Sequence, residues 1–203
     1  MSKHLLKSYI KEIIKEITNR SLMQESFKDE DWSDKPVNKL RIFDLDDTLV
    51  RSESIIHVIK QNGNIEDLTP AQYAVYDKES GDEFDYSEFR QLVKPKTIKW
   101  TTNILRRVLE NNGPNGAVIL TARSSDVPAK QFLELNHLPV IPIVALGDSH
   151  PDSKAQWILA VIKRFGFTEV EFFDDSAKNI AAVNHLKHKV PDGVKIIARH
   201  IKK

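Results

Sequence analysis

Short apolar segments alternate with amphipathic segments along most of this chain, and the alternation constrains its fold more than any other feature. The apolar segments are hydrophobic throughout, which is typical of parallel strands that are buried on both faces. Between them, apolar residues recur at the spacing of helices. The sequence therefore predicts an α/β fold in which helices cover both faces of a parallel sheet. The predicted strands span residues 40–43, 117–120, 140–146, 170–173 and 194–198, and the main predicted helices span 97–112, 127–136, 153–165 and 177–189.

A small insert, at about residues 51–95, separates the first predicted strand from the rest of the sheet. Two apolar segments in it flank Asn62-Gly63, a pair that favours a two-residue hairpin turn because both residues tolerate positive φ. A capping box over residues 69–72 then predicts the start of a short helix. The acidic and aromatic segment 82–89 is predicted to be a loop. We therefore expect a hairpin and a helix to project from the main domain.

The N-terminal region differs from this main domain, which we place at residues 39–203. Residues 1–20 are predicted to form an amphipathic helix. Residues 21–38 are polar and acidic and are predicted to be a linker. The apolar face at residues 3–19 has to be buried against the main domain, in self-association or against a partner protein. A membrane surface is a disfavoured partner because the polar face carries both signs of charge.

The composition excludes several classes of protein. With 30 basic and 29 acidic residues, the chain has a net charge of +1, so no overall field recruits nucleic acid or a membrane. Cysteine is absent, which excludes disulfides and thiolate metal sites. No apolar run approaches the roughly 20 residues that cross a bilayer, and charged residues interrupt the place where a signal peptide would need its apolar core. We therefore expect a cytoplasmic protein.

Polar side chains that can bind phosphate or a metal stand where three of the predicted strands end. Asp44 follows the first strand and Thr121 the second. Asp174 and Asp175 follow the fourth, and Lys154 stands where a helix should begin. Ligands of open parallel sheets bind outside the carboxyl ends of the strands, so we expect these residues to converge. Converging carboxylates repel one another unless a cation lies between them, and hard oxygen ligands at a phosphate site indicate Mg²⁺.

The order and spacing of these residues resemble the four motifs of the haloacid-dehalogenase-like (HAD) phosphohydrolases. Residues 44–49, Asp-Leu-Asp-Asp-Thr-Leu, are similar to the first motif. Thr121, Lys154 and the Asp174-Asp175 pair are similar to the other three, and the resemblance covers roughly residues 39 to 200. It implies a Rossmann-like fold whose insert forms a small cap. The pattern also resembles small HAD-like hydrolases encoded by bacteriophages, which would place the protein in the cytoplasm of the host.

The resemblance also implies a role for each motif residue. Asp44 would be the nucleophile, and Asp46 would protonate the leaving oxygen and then activate water. Thr121 would hydrogen-bond the transferring phosphoryl group. Lys154 would hold the nucleophile and neutralise developing charge. The implied Mg²⁺ ligands are Asp44, Asp46 through its backbone carbonyl, Asp174 and Asp175.

Other interpretations stay open for individual residues. Asp174 and Asp175 could simply cap the following helix, and Lys163 or Lys178 could compete for the role of the lysine. Arg123 could contact the substrate or be an exposed loop residue. A receiver domain of a signalling system also combines aspartate, threonine and lysine on a parallel sheet. Its phosphate-accepting aspartate follows an acidic pair, however, whereas here the Asp-x-Asp segment comes first.

The predicted function is Mg²⁺-dependent hydrolysis of a phosphomonoester through an aspartyl-phosphate intermediate on Asp44. In the superfamily that the chain resembles, inserts over the site govern the choice of substrate. A small insert leaves the site open to a nucleotide or to a larger substrate such as a nucleic-acid end. The alternative is a non-enzymatic interaction protein that uses the same scaffold and is tethered through its N-terminal helix. The intact set of motif residues favours the enzyme.

Overall fold

A computed structural model of the protein describes residues 38–73 and 76–202. The helix predicted for residues 1–20 and the linker predicted for residues 21–38 lie outside this part of the chain, except for Asn38. None of the helices in the described part is long and apolar enough to span a membrane. The strands of the described part are β1 (Lys39–Phe43), β2 (Val50–Arg51), β3 (Ile56–Ile59), β4 (Ile65–Leu68), β5 (Glu83–Asp85), β6 (Lys96–Thr97), β7 (Ala117–Thr121), β8 (Ile143–Ala145), β9 (Glu169–Asp174) and β10 (Lys195–His200). The α-helices are α1 (Pro70–Tyr73), α2 (Lys99–Asn112), α3 (Val127–Leu135), α4 (Pro151–Phe165) and α5 (Ala177–His185).

The central sheet consists of five parallel strands in the order β10-β9-β1-β7-β8. The chain first extends the sheet from β1 through β7 to β8, and then adds β9 and β10 on the opposite side of β1. The strand order therefore reverses between β1 and β9, and open α/β sheets bind ligands at such a reversal. The predicted parallel sheet and α/β class are confirmed. The strand predicted for residues 140–146 is shorter than expected, because Pro139 and Pro142 have no amide proton to donate to a ladder.

Successive residues of the central strands face two separate cores. On one face, Ile42 packs in a cluster with Ile158 of α4 and Val183 of α5. On the other face, Phe43 packs in a cluster that contains side chains of α2 and α3. The rings of Phe43 and Phe173 stack across β1 and β9 with a centroid distance of 4.6 Å. Helices therefore bury both faces of the sheet, which explains why its strands are apolar throughout.

The insert contains the predicted hairpin, but with a different turn. Strands β3 and β4 pair antiparallel, and β5 pairs with the other edge of β3. Between β3 and β4, Lys60 N donates to Asn64 O at 2.8 Å and Gly63 N donates to Lys60 O at 2.8 Å. Gly63 has a φ of 82°, whereas Asn62 is not among the residues with positive φ. The predicted two-residue turn is therefore wrong: the loop has three residues and places its glycine in the left-handed region.

The remaining part of the insert confirms one prediction and corrects another. The capping box exists, since Gln72 N donates to Thr69 Oγ1 at 3.3 Å and Thr69 N donates to Gln72 Oε1 at 2.9 Å. The loop predicted for residues 82–89 is wrong, because this segment contains β5 and most of a 3₁₀ turn at Ser87–Arg90. Strands β2 and β6 then pair antiparallel and bring the two ends of the insert together at the main domain.

Candidate active site

The carboxyl ends of β1 and β9 bring two carboxylates and one ammonium group together. Asp44 directly follows β1, and Asp174 is the last residue of β9. Lys154 lies near the start of α4, with its Nζ 2.6 Å from Asp44 Oδ1 and 2.7 Å from Asp174 Oδ2. The three side chains are between 1% and 8% exposed. These residues therefore form a buried ion-pair network, although Asp44 and Lys154 are 110 positions apart.

Asp175 extends the network into a group that could hold a metal ion. Asp44, Asp174 and Asp175 each offer a carboxylate oxygen, and these oxygens lie within 4.8 Å of one another. Lys154 contacts Asp44 and Asp174, so two buried carboxylates share one ammonium group. A cation would relieve the repulsion, because opposite charges at this distance attract strongly where water is excluded. The expected convergence of carboxylates that could bind a metal is thus present.

The electrostatics of the network are set by its burial. The pKa of Asp44 is raised from 3.8 to about 7, with burial as the largest cause; Lys154 opposes the rise, and the charges of Asp174 and Asp46 add to it. For Lys154, burial alone would lower the pKa, but Asp44 and Asp174 outweigh burial and raise it above its usual value. The ammonium group therefore stays charged at neutral pH, whereas Asp44 without a bound cation is close to the midpoint of its titration.

Asp174 is held in place by the first turn of α5. Its Oδ1 accepts hydrogen bonds from Ser176 N at 2.7 Å and Asn179 Nδ2 at 3.1 Å, and its Oδ2 also lies 3.0 Å from Asn179 Nδ2. The cap of α5 is Ser176, whose hydroxyl oxygen accepts from Asn179 N at 3.4 Å. Asp174 therefore does more than support the start of this helix, because it also contacts Lys154.

Asp46 lies beside the network and has its own cationic partner. Arg123 Nε donates to Asp46 Oδ2 at 2.9 Å, and Arg123 Nη2 donates to Asp46 Oδ1 at 2.7 Å. This bidentate pair joins residues 77 positions apart, and the arginine side chain is only 4% exposed. The interpretation of Arg123 as an exposed loop residue is wrong. Its position two residues after Thr121 was the only signal in the sequence, and that signal does not indicate a partner.

Thr121 and Asp47, two other residues of the motifs, each make a hydrogen bond with the backbone. Thr121 is fully buried at the end of β7, and its Oγ1 accepts a hydrogen bond from Arg123 N at 3.2 Å. Thr121 thus lies on the strand next to β1. Asp47 has a φ of 54°, and its N–H donates to Val50 O at 2.9 Å in the turn after Asp46. The left-handed backbone of Asp47 and this hydrogen bond indicate a structural role in the turn.

The competing lysines and an open groove on the insert lie apart from this cluster. Lys163 and Lys178 are exposed, whereas Lys154 is the lysine that contacts Asp44. The groove has a volume of about 720 Å³, and none of the residues that line it belongs to the predicted site. Its lining consists of Lys60, Gln61, Asn62, Asn64, Ile65, Glu66, Glu79, Ser80 and Asp82. The groove is therefore separate from the cluster of charged residues between β1 and β9.

Comparisons of the chain with protein-family models, with curated proteins and with solved structures found no match. The class that the fold and the site define is therefore described by their geometry alone. It is an α/β protein with a buried lysine–aspartate network, which could hold a metal ion, at the strand reversal of a parallel sheet.

Proposed function

We propose that the protein is a Mg²⁺-dependent phosphomonoester hydrolase of the HAD-like type, with a Rossmann-like fold. The observation that carries the proposal is the buried contact of Lys154 with both Asp44 and Asp174 at the strand reversal. The strand order, counted along the chain within the central sheet, is 3-2-1-4-5, which is the order of a doubly wound nucleotide-binding sheet.

The donor set fits Mg²⁺ better than it fits a softer metal. All three candidate side chains offer carboxylate oxygens, which are the ligands that Mg²⁺ prefers, and Mg²⁺ keeps water and phosphate oxygens in its remaining positions. Both oxygens of Asp174 already accept hydrogen bonds, including one from Lys154. We therefore assign Asp44, Asp175 and the backbone carbonyl of Asp46 as direct ligands, with Asp174 mainly positioning Lys154. When bound, the ion would neutralise charge on the phosphoryl oxygens.

In the proposed reaction, Asp44, Asp46 and Lys154 act in two steps. In the first step a carboxylate oxygen of Asp44 bonds to phosphorus, the bond from phosphorus to the leaving oxygen breaks, and Asp46 gives its proton to that oxygen. In the second step Asp46 takes a proton from water, the water oxygen bonds to phosphorus, and the bond to Asp44 breaks. Lys154 holds Asp44 Oδ1, which orients the carboxylate for attack through its other oxygen.

The insert favours a small substrate over a polymer. Acidic residues outnumber basic residues within residues 51–95. A surface of that sign repels the backbone of a nucleic acid, because nucleic-acid affinity depends on neutralising several phosphates with lysine and arginine. A nucleotide presents far fewer phosphate charges. Of the two substrates left open by the sequence, we therefore propose a nucleotide or a similarly small phosphomonoester rather than a nucleic-acid end.

Hydrolysis of p-nitrophenyl phosphate with and without Mg²⁺ tests the proposal. The wild-type protein should release phosphate only with the metal, and Asp44→Asn should abolish turnover. Asp192→Asn is the matched control, because it removes an exposed carboxylate in the turn before β10. Equal activity in wild type and Asp44→Asn would exclude Asp44 as the nucleophile. Inactivity of the wild type on this compound and on a panel of nucleotides and 3′-phosphorylated oligonucleotides would exclude the enzyme.

A further inference from the structure

We propose that Arg123 is a positioning residue that couples Asp46 to the insert. Residues 89–93, called here the closing segment, are the part of the insert that reaches Arg123. The inference rests on the proposed function, because it takes Asp46 as the group that protonates the leaving oxygen. The closing segment, through its contacts with Arg123, determines the position of the Asp46 carboxyl group.

The guanidinium group binds the acid on one side and the closing segment on the other. Two of its N–H groups donate to the carboxylate of Asp46, at 2.9 and 2.7 Å. On the opposite side, Arg123 Nη1 donates to Phe89 O at 2.8 Å and to Gln91 O at 3.0 Å. Four of the five N–H donors of an arginine are thus used on protein oxygens. Such a guanidinium group acts through Asp46 rather than as a direct ligand of phosphate.

The closing segment is itself anchored at two places. Leu92 N donates to Gln131 Oε1 of α3 at 2.8 Å, which ties the segment to the main domain. Glu53 N donates to Val93 O at 2.9 Å, which ties it to the start of the insert. A shift of the insert would therefore move the two carbonyl groups that hold Arg123, and Arg123 would transmit the shift to Asp46.

This coupling matters because Asp46 is otherwise poorly constrained. Its side chain is 42% exposed, compared with 4% for Arg123, so the bidentate pair is what fixes its orientation. The proton that Asp46 donates is needed most when the leaving oxygen is a poor leaving group, as in an alkyl phosphate. An aryl phosphate leaves readily without the proton. Loss of positioning should consequently slow the two classes of substrate by different factors.

The kinetic test compares an alkyl phosphate with p-nitrophenyl phosphate in the full-length Arg123→Lys variant. Lysine keeps the charge but cannot form the bidentate pair and also reach both carbonyls. We expect kcat/KM, which reports only the step that expels the leaving oxygen, to fall about 100-fold or more for the alkyl phosphate and less than about 10-fold for the aryl phosphate. An equal loss for both substrates would overturn the proposal, since a merely structural role would not distinguish them.

A second variant tests the insert without altering the pair. Gln131→Ala removes the acceptor for Leu92 N, and we expect the same selective loss on the alkyl phosphate at a smaller amplitude. The matched control is Gln61→Ala, an exposed glutamine in the hairpin loop, which should leave both rates unchanged. This arm also keeps the proposal testable if Arg123→Lys does not fold. Full activity of Gln131→Ala on both substrates would overturn the role of the closing segment.

Hydrogen exchange separates this inference from the proposed function. In Arg123→Lys, the amides of Leu92 and Val93 should exchange at least about 10-fold faster, while those of the β3–β4 hairpin should not change. Unchanged exchange in an active variant would overturn only the coupling of Arg123 to the insert. A wild-type protein that hydrolyses neither phosphate would instead overturn the proposed function, together with the role of Asp46 on which the inference depends.

Discussion

Replacing Asp44 with asparagine should make the metal-free protein more stable at alkaline pH, although it removes the proposed nucleophile. Burial, followed by the effects of Asp174 and Asp46, raises the pKa of Asp44 from 3.8 to about 7 in spite of Lys154. The folded state therefore prefers the protonated carboxyl. The stability that this preference contributes is fully present below about pH 4 and is lost as the pH rises to about 7. At about 1.36 kcal/mol per pH unit, the loss is on the order of 4 kcal/mol.

Two effects oppose each other in this variant, and their sizes decide the outcome. Asparagine resembles the protonated carboxyl, so it avoids the loss above pH 7, and its amide oxygen can still accept from Lys154. Lys154 gives up one ionic partner but keeps Asp174 at 2.7 Å. Burial of a charged group is the largest cause of the raised pKa, and a neutral amide avoids this cost. We expect a gain of about 2 to 4 kcal/mol at pH 8, which shrinks towards zero near pH 4.

Urea unfolding followed by circular dichroism in EDTA, at several values of pH between 5 and 8, measures this difference. Asp192→Asn should track the wild type throughout. Added Mg²⁺ should stabilise the wild type more at pH 8 than at pH 5, because the ion competes with the proton for Asp44, and it should stabilise Asp44→Asn much less. The reasoning is refuted if Asp44→Asn is less stable than the wild type at pH 8, or if the difference does not depend on pH.

Three further substitutions test other contacts by equilibrium unfolding. Lys154→Met should destabilise the protein by about 3 to 5 kcal/mol at pH 8, because it leaves Asp44 and Asp174 buried without a cation. An unchanged free energy of unfolding would show that the network is not buried in solution. Asn179→Ala removes hydrogen-bond donors from Asp174 and should lower the free energy of unfolding by about 1.5 to 3 kcal/mol. It should also weaken the Mg²⁺ dependence of unfolding, and an unchanged response to the metal would contradict the role of Asn179 in the cluster. Asp47→Gly should leave the free energy of unfolding nearly unchanged, whereas Asp47→Val should lower it by about 1 to 2 kcal/mol, because φ at this position is 54°. Equal stabilities of the two variants would argue against a left-handed backbone at residue 47.

The central sheet could be predicted from the sequence because its strands are constrained on both faces. The strand predicted for residues 40–43 differs by one residue from β1, and the one predicted for residues 170–173 lies within β9. Apolar runs of this kind have few alternatives once helical segments separate them. Asp44 and Asp174 follow two of the predicted strands, and Lys154 stands at a predicted helix start, so their convergence at the carboxyl edge of the sheet could be predicted as well.

The insert was harder to predict because its strands are short and exposed. Strand β5 consists of Glu83, Phe84 and Asp85, and acidic residues on both sides of a single aromatic residue give no clear period. Pairing with β3 outweighs the weak local preference. Asn62-Gly63 is compatible with both two-residue and three-residue loops, so the dipeptide indicated a hairpin without determining its turn.

The partners of Arg123 could not be predicted at all. Its guanidinium group contacts Asp46 and the carbonyls of Phe89 and Gln91, which are between 32 and 77 positions away. Two of these three partners are backbone oxygens, which every residue type carries. The pattern of side chains along the sequence therefore cannot indicate the contacts of Arg123 with these backbone oxygens.

The register between β1 and β9 sets the spacing at which Asp44 and Asp174 leave the sheet. Phe43 pairs with Phe173, their rings stack at 4.6 Å, and each ring immediately precedes one of the buried aspartates. Neighbouring strands lie about 4.8 Å apart in any sheet. Lys154 contacts both aspartates across this spacing. Substitutions in the aromatic pair should therefore weaken the contacts of Lys154 without altering any of the three charged residues.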